Sequence, residues 1–293
     1  MSSHHLVCIG NVTIDEAVQP SGARTVAPGG DVIFAALAAR AHLDEVSWLA
    51  PIGTDLPAEM LRELDAAGLT AIEAPPRALP TVRNVVTYRG DGSRCWELVH
   101  GEEHFDAMSV YPSDVTPAVL GADAILVLGM SVGAQVALLP WLRRNTAASI
   151  YLDLQEDGLA GHEAALRAII GLCDVFLPSE SEAVVLAETA DLAAAARSFR
   201  ELGPQVVVIK RAERGCLVQV GSDTAIEVPV DVVNPVDATG AGDAFCGAFA
   251  AVHVAGGDPL SAARAGSSAA RVAIGAPGIL GLLPGSRERV TIG

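Results

Sequence analysis

The second half of the chain alternates short runs that are almost wholly apolar with longer alanine-rich segments. The apolar runs predict buried strands over residues 124–128, 149–153, 175–177 and 206–210, because nearly every position in them is hydrophobic. The segments between them predict helices over residues 136–144, 163–172, 182–188 and 192–202. Strands that alternate with helices in this way predict right-handed crossovers and a mostly parallel sheet with helices on both faces.

The first hundred residues follow a different pattern. Residues 6–10 predict one more core strand, whereas residues 81–99 predict a hairpin whose two β-rich arms flank Gly90-Asp91-Gly92. With the stretch around residues 14–26, this hairpin predicts a small sheet that projects from the main one. An ordinary edge hairpin of the main sheet fits the same pattern, and the sequence leaves both arrangements open.

Composition narrows the class of protein. The chain has 293 residues, of which 51% are hydrophobic and 4% aromatic, and this balance suits close-packed helices on a sheet and excludes intrinsic disorder. The formal net charge of -16, without a basic cluster, argues against a nucleic-acid surface, which needs many Lys or Arg contacts to phosphates. A small phosphate ligand is compatible with this charge, because backbone amides and a divalent cation supply a local positive field.

The cysteines and the N-terminal segment indicate where the protein works. Five cysteines without a C-x-x-C pair favour neither a disulfide framework nor a zinc site, and they fit a reducing cytoplasm. The chain passes almost directly into the short apolar run of residues 6–9, without the basic and long apolar regions of a signal peptide. Since no segment reaches about 18 uninterrupted apolar residues, we expect a cytoplasmic protein that does not cross a membrane.

The stretch DATGAGDAFCG, residues 237–247, combines an anion site with a carboxylate. Gly240-Ala241-Gly242 leads into an apolar helix predicted over residues 244–255, so the free N–H groups and the positive end of the helix dipole attract anions. No Lys-Ser/Thr pair follows, as a P-loop requires, and Phe245 occupies the third glycine position of a dinucleotide fingerprint. Asp243 is either a cap that compensates the helix dipole or a group with a chemical role.

This loop resembles the D-T-x-G-A-G-D signature of the ribokinase-like (PfkB) carbohydrate kinase family, from which only Ala238 departs. Weaker matches follow the family's order along the chain; they are GNVTIDEAV, APGGDVIFAALAA, PIGTDLPAEMLRELDAAGL, CDVFLPSESEAVVL and VVVIKRAERGCLV. The resemblance covers essentially the whole chain. It implies a Rossmann-like three-layer α/β/α sandwich in which residues 1–293 form a single kinase domain, with a small β-sheet lid formed by about 12–28 and 81–100.

The resemblance also implies an activity. It is that of an ATP-dependent kinase, which transfers the γ-phosphoryl group to a hydroxyl of a small sugar or sugar derivative. Such transfer needs positioning and charge neutralisation more than covalent help. By resemblance, Asp243 is the general base that takes the proton of the attacking hydroxyl, and the N–H groups of Gly240, Ala241 and Gly242 form the anion hole for the migrating phosphoryl group.

Further roles implied by the resemblance concern the acceptor. Asp15, Gly29 and Gly30 match positions that bind sugar hydroxyls in relatives, although a strand end and a helix-initiating turn would account for the same residues. Phe34 stands where many sugar kinases of the family carry a substrate-binding Asn, and Thr13 replaces another Asn. Both changes argue against plain ribose. An aromatic face at Phe34 would suit a base, which makes a nucleoside the alternative acceptor.

Other matched positions concern the nucleotide and its metal ions. Glu182 matches a glutamate that helps to hold the Mg²⁺ of MgATP, and Lys210, the only lysine of the chain, matches a residue that reaches the nucleotide phosphates. Asp237 and Thr239 match positions that help to bind a monovalent cation, K⁺, in some relatives. Ser267 falls where an adenine-contacting Asn is common. A solvated helix face, a strand-end lysine and turn residues would account for several of these positions.

Some departures from the family pattern touch the nucleotide side. Ser179 replaces the asparagine of the family's N-x-x-E segment, and Ala212 replaces the glycine of the nucleotide turn. If such changes abolish catalysis, the protein is a degenerate pseudokinase that binds a sugar without phosphorylating it, and this is the second alternative. Lid sheets of the family often pair between subunits, so we also expect a homodimer through the lid.

Overall fold

The structure is a computed structural model that describes residues 4–90, 94–155, 158–222 and 224–285. Its strands are β1 (His5–Ile9), β2 (Thr13–Val18), β3 (Arg24–Gly29), β4 (Glu45–Leu49), β5 (Thr70–Ile72), β6 (Val82–Tyr88), β7 (Arg94–Leu98), β8 (Ala124–Val127), β9 (Ser149–Leu152), β10 (Val175–Phe176), β11 (Val206–Lys210), β12 (Cys216–Val220) and β13 (Ile226–Val228). Its α-helices are α1 (Asp31–Arg40), α2 (Ala58–Ala66), α3 (Gly101–Ala107), α4 (Pro117–Leu120), α5 (Val132–Asn145), α6 (Glu163–Ile170), α7 (Glu180–Ala187), α8 (Leu192–Leu202), α9 (Ala241–Val254) and α10 (Pro259–Ala273). Short 3-10 helices cover Pro112–Asp114, Ala212–Arg214 and Gly278–Gly281.

The central sheet has nine strands in the order β13-β12-β11-β10-β9-β8-β1-β4-β5. Neighbouring strands from β11 to β5 are parallel, and β12 and β13 are antiparallel at one edge. The strands predicted from the apolar runs are all present close to their predicted bounds, with helices between them. The prediction of a mostly parallel α/β sheet is therefore confirmed.

Helices cover both faces of this sheet, and strand β1 illustrates how the core divides. Leu6 and Cys8 belong to the core that contains α1 and α9, whereas Val7 and Ile9 belong to the core that contains α5 and α8. All four side chains are fully buried, as expected when successive side chains of a strand point to opposite faces of a covered sheet. In the described part of the chain, no helix combines the length and the apolar character that crossing a bilayer requires.

A second sheet of four strands, which we call the small sheet, has the order β3-β2-β6-β7. Strand β2 pairs antiparallel with β3 and parallel with β6, and β6 and β7 form the predicted hairpin. Because this sheet is separate from the central one, the alternative of an edge hairpin is wrong. Residues 91–93, which fall on the predicted turn, lie outside the described residues.

Helices α1 and α9 approach each other closely enough to bring their N-termini to one place. A Cβ atom on Gly247 would lie 1.9 Å from the backbone oxygen of Ala35, so a glycine is required at this contact. Helix α9 begins at Ala241, three residues before the predicted start, with Gly240 as its N-cap. Gly30 is the N-cap of α1. The N-terminal ends of two helices therefore lie in the same region of the molecule.

Candidate active site

The predicted site residues converge on one large cleft between the carboxyl ends of the central strands and the small sheet. In open α/β sheets this is the edge at which ligands bind. The predicted residues that line the cleft are Asp15, Gly30, Phe34, Glu182, Lys210, Thr239, Gly240, Ala241, Gly242, Asp243 and Ser267. Gly29 and Asp237 are neighbours of these residues but do not line the cleft themselves.

Gly240 turns the chain into helix α9 and is held there by two constraints. Its φ of 72° lies in the left-handed region that favours glycine. A Cβ atom at this position would lie 2.1 Å from the ring of Phe34, so there is also no room for a side chain. The N–H groups of the first turn of α9 have no partners within the helix and face the cleft. The loop is therefore an anion site that depends on glycine for both shape and space.

Phe34 packs beneath this loop. Its side chain is 1% exposed, and its ring touches the backbone of Gly240. The ring therefore supports the anion site from below. From the sequence, Phe34 was expected to offer an aromatic face on which a base could stack. A ring buried to this extent leaves neither of its faces exposed for stacking.

Asp243 lies in the first turn of α9 and lines the cleft. Burial raises the pKa of its carboxyl to about 6; the neighbouring Asp153 carboxylate adds to this increase, and the charge of Lys210 opposes it. A carboxyl group whose pKa lies near the working pH is well suited to accept a proton from a substrate. The position in the first helical turn also fits a dipole-compensating acid, so the geometry is compatible with both interpretations of Asp243.

Lys210 at the end of β11 makes a contact that sequence reasoning missed. Its Nζ donates to both carboxylate oxygens of Asp153, at 2.7 and 2.8 Å, and lies 3.4 Å from Cys246 Sγ. Burial opposes the charge of Lys210, but Asp153 and other acidic neighbours raise its pKa above the ordinary value. A Cβ on Gly242 would lie 3.5 Å from the same Nζ. The ammonium group is thus fixed beside the anion-binding loop.

Asp15 lies across the cleft on strand β2. Its Oδ1 accepts hydrogen bonds from Thr13 Oγ1 at 2.7 Å and from Asn84 Nδ2 at 3.0 Å. A Cβ on Gly29 would lie 1.8 Å from its Oδ2, so the first glycine of the pair leaves space for this carboxylate. Burial raises the pKa of Asp15, these two hydrogen bonds lower it, and the charge of Asp237 raises it. Thr13, which replaces a family Asn, therefore orients Asp15.

Two further polar residues line this part of the cleft, and neither was assigned a role from the sequence. Asp31, the first residue of α1, accepts hydrogen bonds at Oδ1 from the N–H of Asn11 at 2.6 Å and from its neighbour Val32 at 2.5 Å. Burial and the charge of Asp243 hold its pKa well above the ordinary value. Asn11 is 2% exposed and donates through Nδ2 to Met108 O at 2.8 Å. Asn11 closely follows a buried strand, and this position is the sequence feature that could have identified it as a candidate site residue.

Glu182 and Ser179 form a capping box at the start of α7. The hydroxyl of Ser179 accepts from the N–H of Glu182 at 3.2 Å, and Glu182 Oε2 accepts from the N–H of Ser179 at 2.7 Å. Among the described residues, no cluster of three or more His, Cys, Asp or Glu side chains could hold a metal ion. A Mg²⁺ ion bound to nucleotide phosphates needs only one or two carboxylates, and Glu182, which lines the cleft, fits that need.

Asp237 fastens the loop that precedes α9. Its Oδ1 accepts from the N–H of Thr239 at 2.9 Å, and its Oδ2 accepts from the N–H of Gly278 at 3.0 Å. These contacts account for Asp237 as a turn residue, one of the two roles considered from the sequence. Ser267 in α10 lies near Cys216 at the start of β12, on the side of the cleft formed by the antiparallel strands.

The turn after β11 departs from the family pattern at Ala212. This residue has a φ of 49°, in the left-handed region, and it begins a short 3-10 helix. On either side of it, Arg211 donates to Glu227 Oε1 at 2.9 Å, and Arg214 forms an ion pair with Glu180. The turn thus keeps a conformation typical of glycine although it carries a side chain.

The arrangement is that of an α/β protein in which the N-terminus of a helix, with its free N–H groups, and a buried carboxyl group line one cleft together with polar side chains of the small sheet. The chain matches the pfkB family carbohydrate kinase over residues 3–284, and it therefore belongs to that family. It is a kinase, a phosphotransferase that acts on a hydroxyl group.

Relatives and solved structures agree with this assignment. The chain is 29% identical over 279 residues to the cytidine kinase of Thermococcus kodakarensis, covering 91% of this chain and 94% of that protein. It is 31% identical over 190 residues to the 2-dehydro-3-deoxygluconokinase of Thermoproteus tenax, covering 61% and 58%. The ribokinase from Thermotoga maritima superposes with a TM-score of 0.76 at 21% identity, covering 98% of both chains. The ribokinase-like fold with a small second sheet is therefore confirmed.

Proposed function

We propose that the protein is an ATP-dependent kinase that transfers the γ-phosphoryl group to a hydroxyl of a small sugar or sugar derivative, with Asp243 as the general base. One observation carries this proposal. A carboxyl group with a pKa of about 6 lies in the same helical turn as the anion-binding N–H groups of Gly240, Ala241 and Gly242. Proton acceptance and charge stabilisation, the two needs of the reaction, are thus met side by side.

In this mechanism the acceptor hydroxyl lies between Asp243 and the loop. Its O–H proton passes to the Asp243 carboxylate while its oxygen forms a bond to the γ-phosphorus. The bond from that phosphorus to the bridging oxygen breaks, and ADP leaves with the electron pair. The N–H groups of Gly240, Ala241 and Gly242 hold the phosphoryl oxygens throughout. ATP supplies the phosphoryl group when it is bound.

The nucleotide side of the cleft offers the remaining partners. Lys210, already fixed beside Gly242, would balance phosphate charge, and Glu182 would hold Mg²⁺ through water, as hard cations prefer. Thr239 and Ser267 line the cleft where the nucleotide would lie. A site for K⁺ that includes Asp237 stays a prediction, since its carboxylate is engaged with backbone N–H groups.

We also propose that residues 1–293 act as one kinase domain and that the small sheet acts as its lid. Asp15 and Asn84 lie on two strands of this sheet and line the cleft, so closure of the sheet would exclude water from the acceptor. Edge strand β3 carries Val26, which is 55% exposed, and this apolar side chain supports a homodimer through the lid. Five cysteines without a C-x-x-C pair support a cytoplasmic location.

A second candidate is a nucleoside acceptor. The similarity to a cytidine kinase over 91% of this chain favours it. The buried ring of Phe34 gives it no support. Release of ADP from MgATP, measured with a panel of sugars, sugar acids and nucleosides, distinguishes the two candidates. Saturable sugar binding without ADP release for any acceptor would instead indicate the pseudokinase.

The substitution Asp243→Asn tests the proposed general base. We expect it to retain nucleotide binding and to lower kcat by about 10²-fold or more, because the amide keeps the shape of the side chain but cannot accept the proton. Binding of a nucleotide, followed by calorimetry, serves as the control for folding and for the anion site. Unchanged turnover of Asp243→Asn would reject Asp243 as the base.

A further inference from the structure

Oxygen atoms that accept hydrogen bonds line the acceptor end of the cleft, which we define by Asn11, Asp15, Asp31 and Asn84. The two amides donate their nitrogen atoms to acceptors of the protein itself. Asn11 Nδ2 donates to Met108 O at 2.8 Å, and Asn84 Nδ2 donates to Asp15 Oδ1 at 3.0 Å. Neither amide can be reversed, because a carbonyl oxygen or a carboxylate must receive a donor. Each amide therefore offers its oxygen to a ligand.

Asn11 carries the most deeply buried unpaired acceptor of this group. Its side chain is 98% removed from solvent, with 2% exposed, yet its Oδ1 has no hydrogen-bond partner. Buried polar atoms are nearly always paired, since an unpaired one loses its water without compensation. Because Asn11 lines the cleft, a hydrogen-bond donor on a bound acceptor would pair with this oxygen.

Asp31 adds a fixed acceptor beside Asn11. Its Oδ1 is held by the backbone N–H groups of Asn11 and Val32, and no described residue donates to its Oδ2. Asp15 follows the same pattern, with Oδ1 engaged by Thr13 and Asn84 and no described donor to Oδ2. Both carboxylates thus present one oxygen to the ligand and are anchored by the other.

The described Lys and Arg side chains that line the cleft are Lys210, Arg211, Arg214 and Arg271, and each of them is paired with a carboxylate. Lys210 is bound to both oxygens of Asp153 and lies beside Gly242, on the proposed phosphate side of the cleft. Arg211 is paired with Glu227. No described Lys or Arg side chain is among the residues that line the acceptor end.

We propose that the acceptor end of the cleft selects uncharged acceptors rich in hydroxyl groups against sugar acids and sugar phosphates, and that Asp31 is a specificity-determining residue for this selection. The inference rests on the proposed kinase function. Hydroxyl groups donate to the free oxygens of Asn11, Asp15 and Asp31. A carboxylate or phosphate on the acceptor brings only further acceptors and a like charge to the same oxygens.

The test compares acceptors that differ in charge. ADP release from MgATP is measured with the neutral acceptors D-ribose, 2-deoxy-D-ribose, D-glucose and cytidine. It is measured in parallel with the acids D-ribonate, D-gluconate and 2-dehydro-3-deoxy-D-gluconate. We expect the best neutral acceptor to exceed the best acid by about 10²-fold or more in kcat/KM. An acid as the best acceptor of the panel would overturn the inference while leaving the kinase function intact.

Asp31→Asn tests the residue itself. Its Oδ1 keeps both backbone hydrogen bonds, and its Nδ2 replaces the free acceptor with a donor. We expect the ratio of neutral to acid kcat/KM to fall by about tenfold or more. The control is Asp44→Asn, which removes the same charge just beyond α1 at a side chain that is 95% exposed, and which should leave the ratio unchanged. A folded Asp31→Asn protein with an unchanged ratio would overturn the role of Asp31.

Binding measurements separate this inference from the kinase proposal. If no acceptor yields ADP, the proposed kinase function fails, and calorimetry with the same panel then tests the selection directly. Tighter binding of the neutral members supports the inference. Tighter binding of the acids, or binding of no member at all, overturns it.

Discussion

Two turns border the same cleft, and both contain a residue with a left-handed backbone. The turn before α9 has Gly240 at a φ of 72°, and the turn after β11 has Ala212 at a φ of 49°. Only the first excludes a side chain, because Phe34 fills the space beside Gly240. Ala212 is exposed and tolerates its methyl group. A left-handed backbone alone therefore does not require glycine. Glycine is required where the backbone is left-handed and there is also no space for a side chain.

This difference follows from what each turn has to do. In the proposed mechanism the N–H groups after Gly240 approach the migrating phosphoryl group closely, and a rigid support beneath them fixes their direction. The turn at Ala212 is held by ion pairs of its flanking arginines, Arg211 and Arg214, and lies farther from the reacting atoms. We therefore expect substitutions in the first turn to have large effects and substitutions in the second to have small ones.

The largest effect is expected for Gly240→Ala. A Cβ atom 2.1 Å from the ring of Phe34 forces the loop or the ring to move, in addition to the cost of a left-handed alanine. We expect the free energy of unfolding to fall by about 3 kcal/mol or more, and kcat/KM to fall by about 10²-fold or more as the anion site shifts. Chemical denaturation and steady-state kinetics measure the two losses.

Gly256→Ala provides the matched control. Gly256 has a φ of 94° just beyond the far end of α9, but no atom lies within 4 Å of the Cβ that would be added. This variant should lose only about 0.5 kcal/mol, because the smaller freedom of alanine in the unfolded chain offsets part of the left-handed strain of about 1–2 kcal/mol, and it should keep its activity. Equal losses in Gly240→Ala and Gly256→Ala would show that the contact with Phe34 has no effect of its own.

The next largest effect is expected at Lys210. This residue ends strand β11, just before the turn at Ala212, and its ammonium group lies beside Gly242, just after the turn at Gly240. Asp153→Asn leaves the buried ammonium of Lys210 without its carboxylate, and we expect this to lower the free energy of unfolding by about 3 kcal/mol. Asp231→Asn, which breaks the exposed pair with Arg271, should cost about 0.5 kcal/mol or less. Similar losses in the two variants, measured by urea unfolding, would contradict a structural role for the buried pair.

The pH dependence of the reaction reports on the same group of charges. In the proposed mechanism the ionised form of Asp243 is the base, and the pKa of this carboxyl is about 6. Below about pH 6, kcat/KM should therefore fall about tenfold for each unit of pH. Because the charge of Asp153 raises this pKa, Asp153→Asn should move the fall to lower pH. A profile that is flat down to pH 5, or that moves to higher pH in this variant, would contradict the assignment.

Local patterns predicted much of the architecture. The fully apolar runs identified the parallel strands, because the side chains on both faces of a covered strand are buried and therefore apolar. The small residues before α9 identified the anion site. The pairing of β2 with β6 could not be predicted from the sequence, since it joins segments more than sixty residues apart. The hydrophobic pattern also allowed an edge hairpin of the main sheet.

The site was predicted less completely, because contacts between distant segments decide what a side chain does. Asp153 and Asn11 lie just past buried strands, a position that marks them as candidates, but their partners Lys210 and Met108 lie far along the chain. Phe34 was assigned to the acceptor from its place in a motif, and its burial beneath Gly240 depends on the packing of α1 against α9. By contrast, the capping box that begins at Ser179 involves only residues close together in the chain, and it can be recognised in the sequence as S-x-x-E.

The smallest effect is expected for Ala212→Gly, which restores the family glycine. Relief of the left-handed alanine favours the folded state by about 1–2 kcal/mol, and the greater freedom of glycine in the unfolded chain offsets about 0.5–1 kcal/mol of this. The variant should therefore be more stable by about 0.5 kcal/mol, with a KM for ATP within about twofold of the parent.

Glu188→Gly, at a φ of 53° after α7, is the control outside the cleft and should gain a similar amount of stability. A loss of stability, or a large change in KM for ATP, in Ala212→Gly alone would mean that the methyl group of Ala212 shapes the nucleotide turn. That result would remove the contrast with Gly240, because both turns would then depend on the residue they carry.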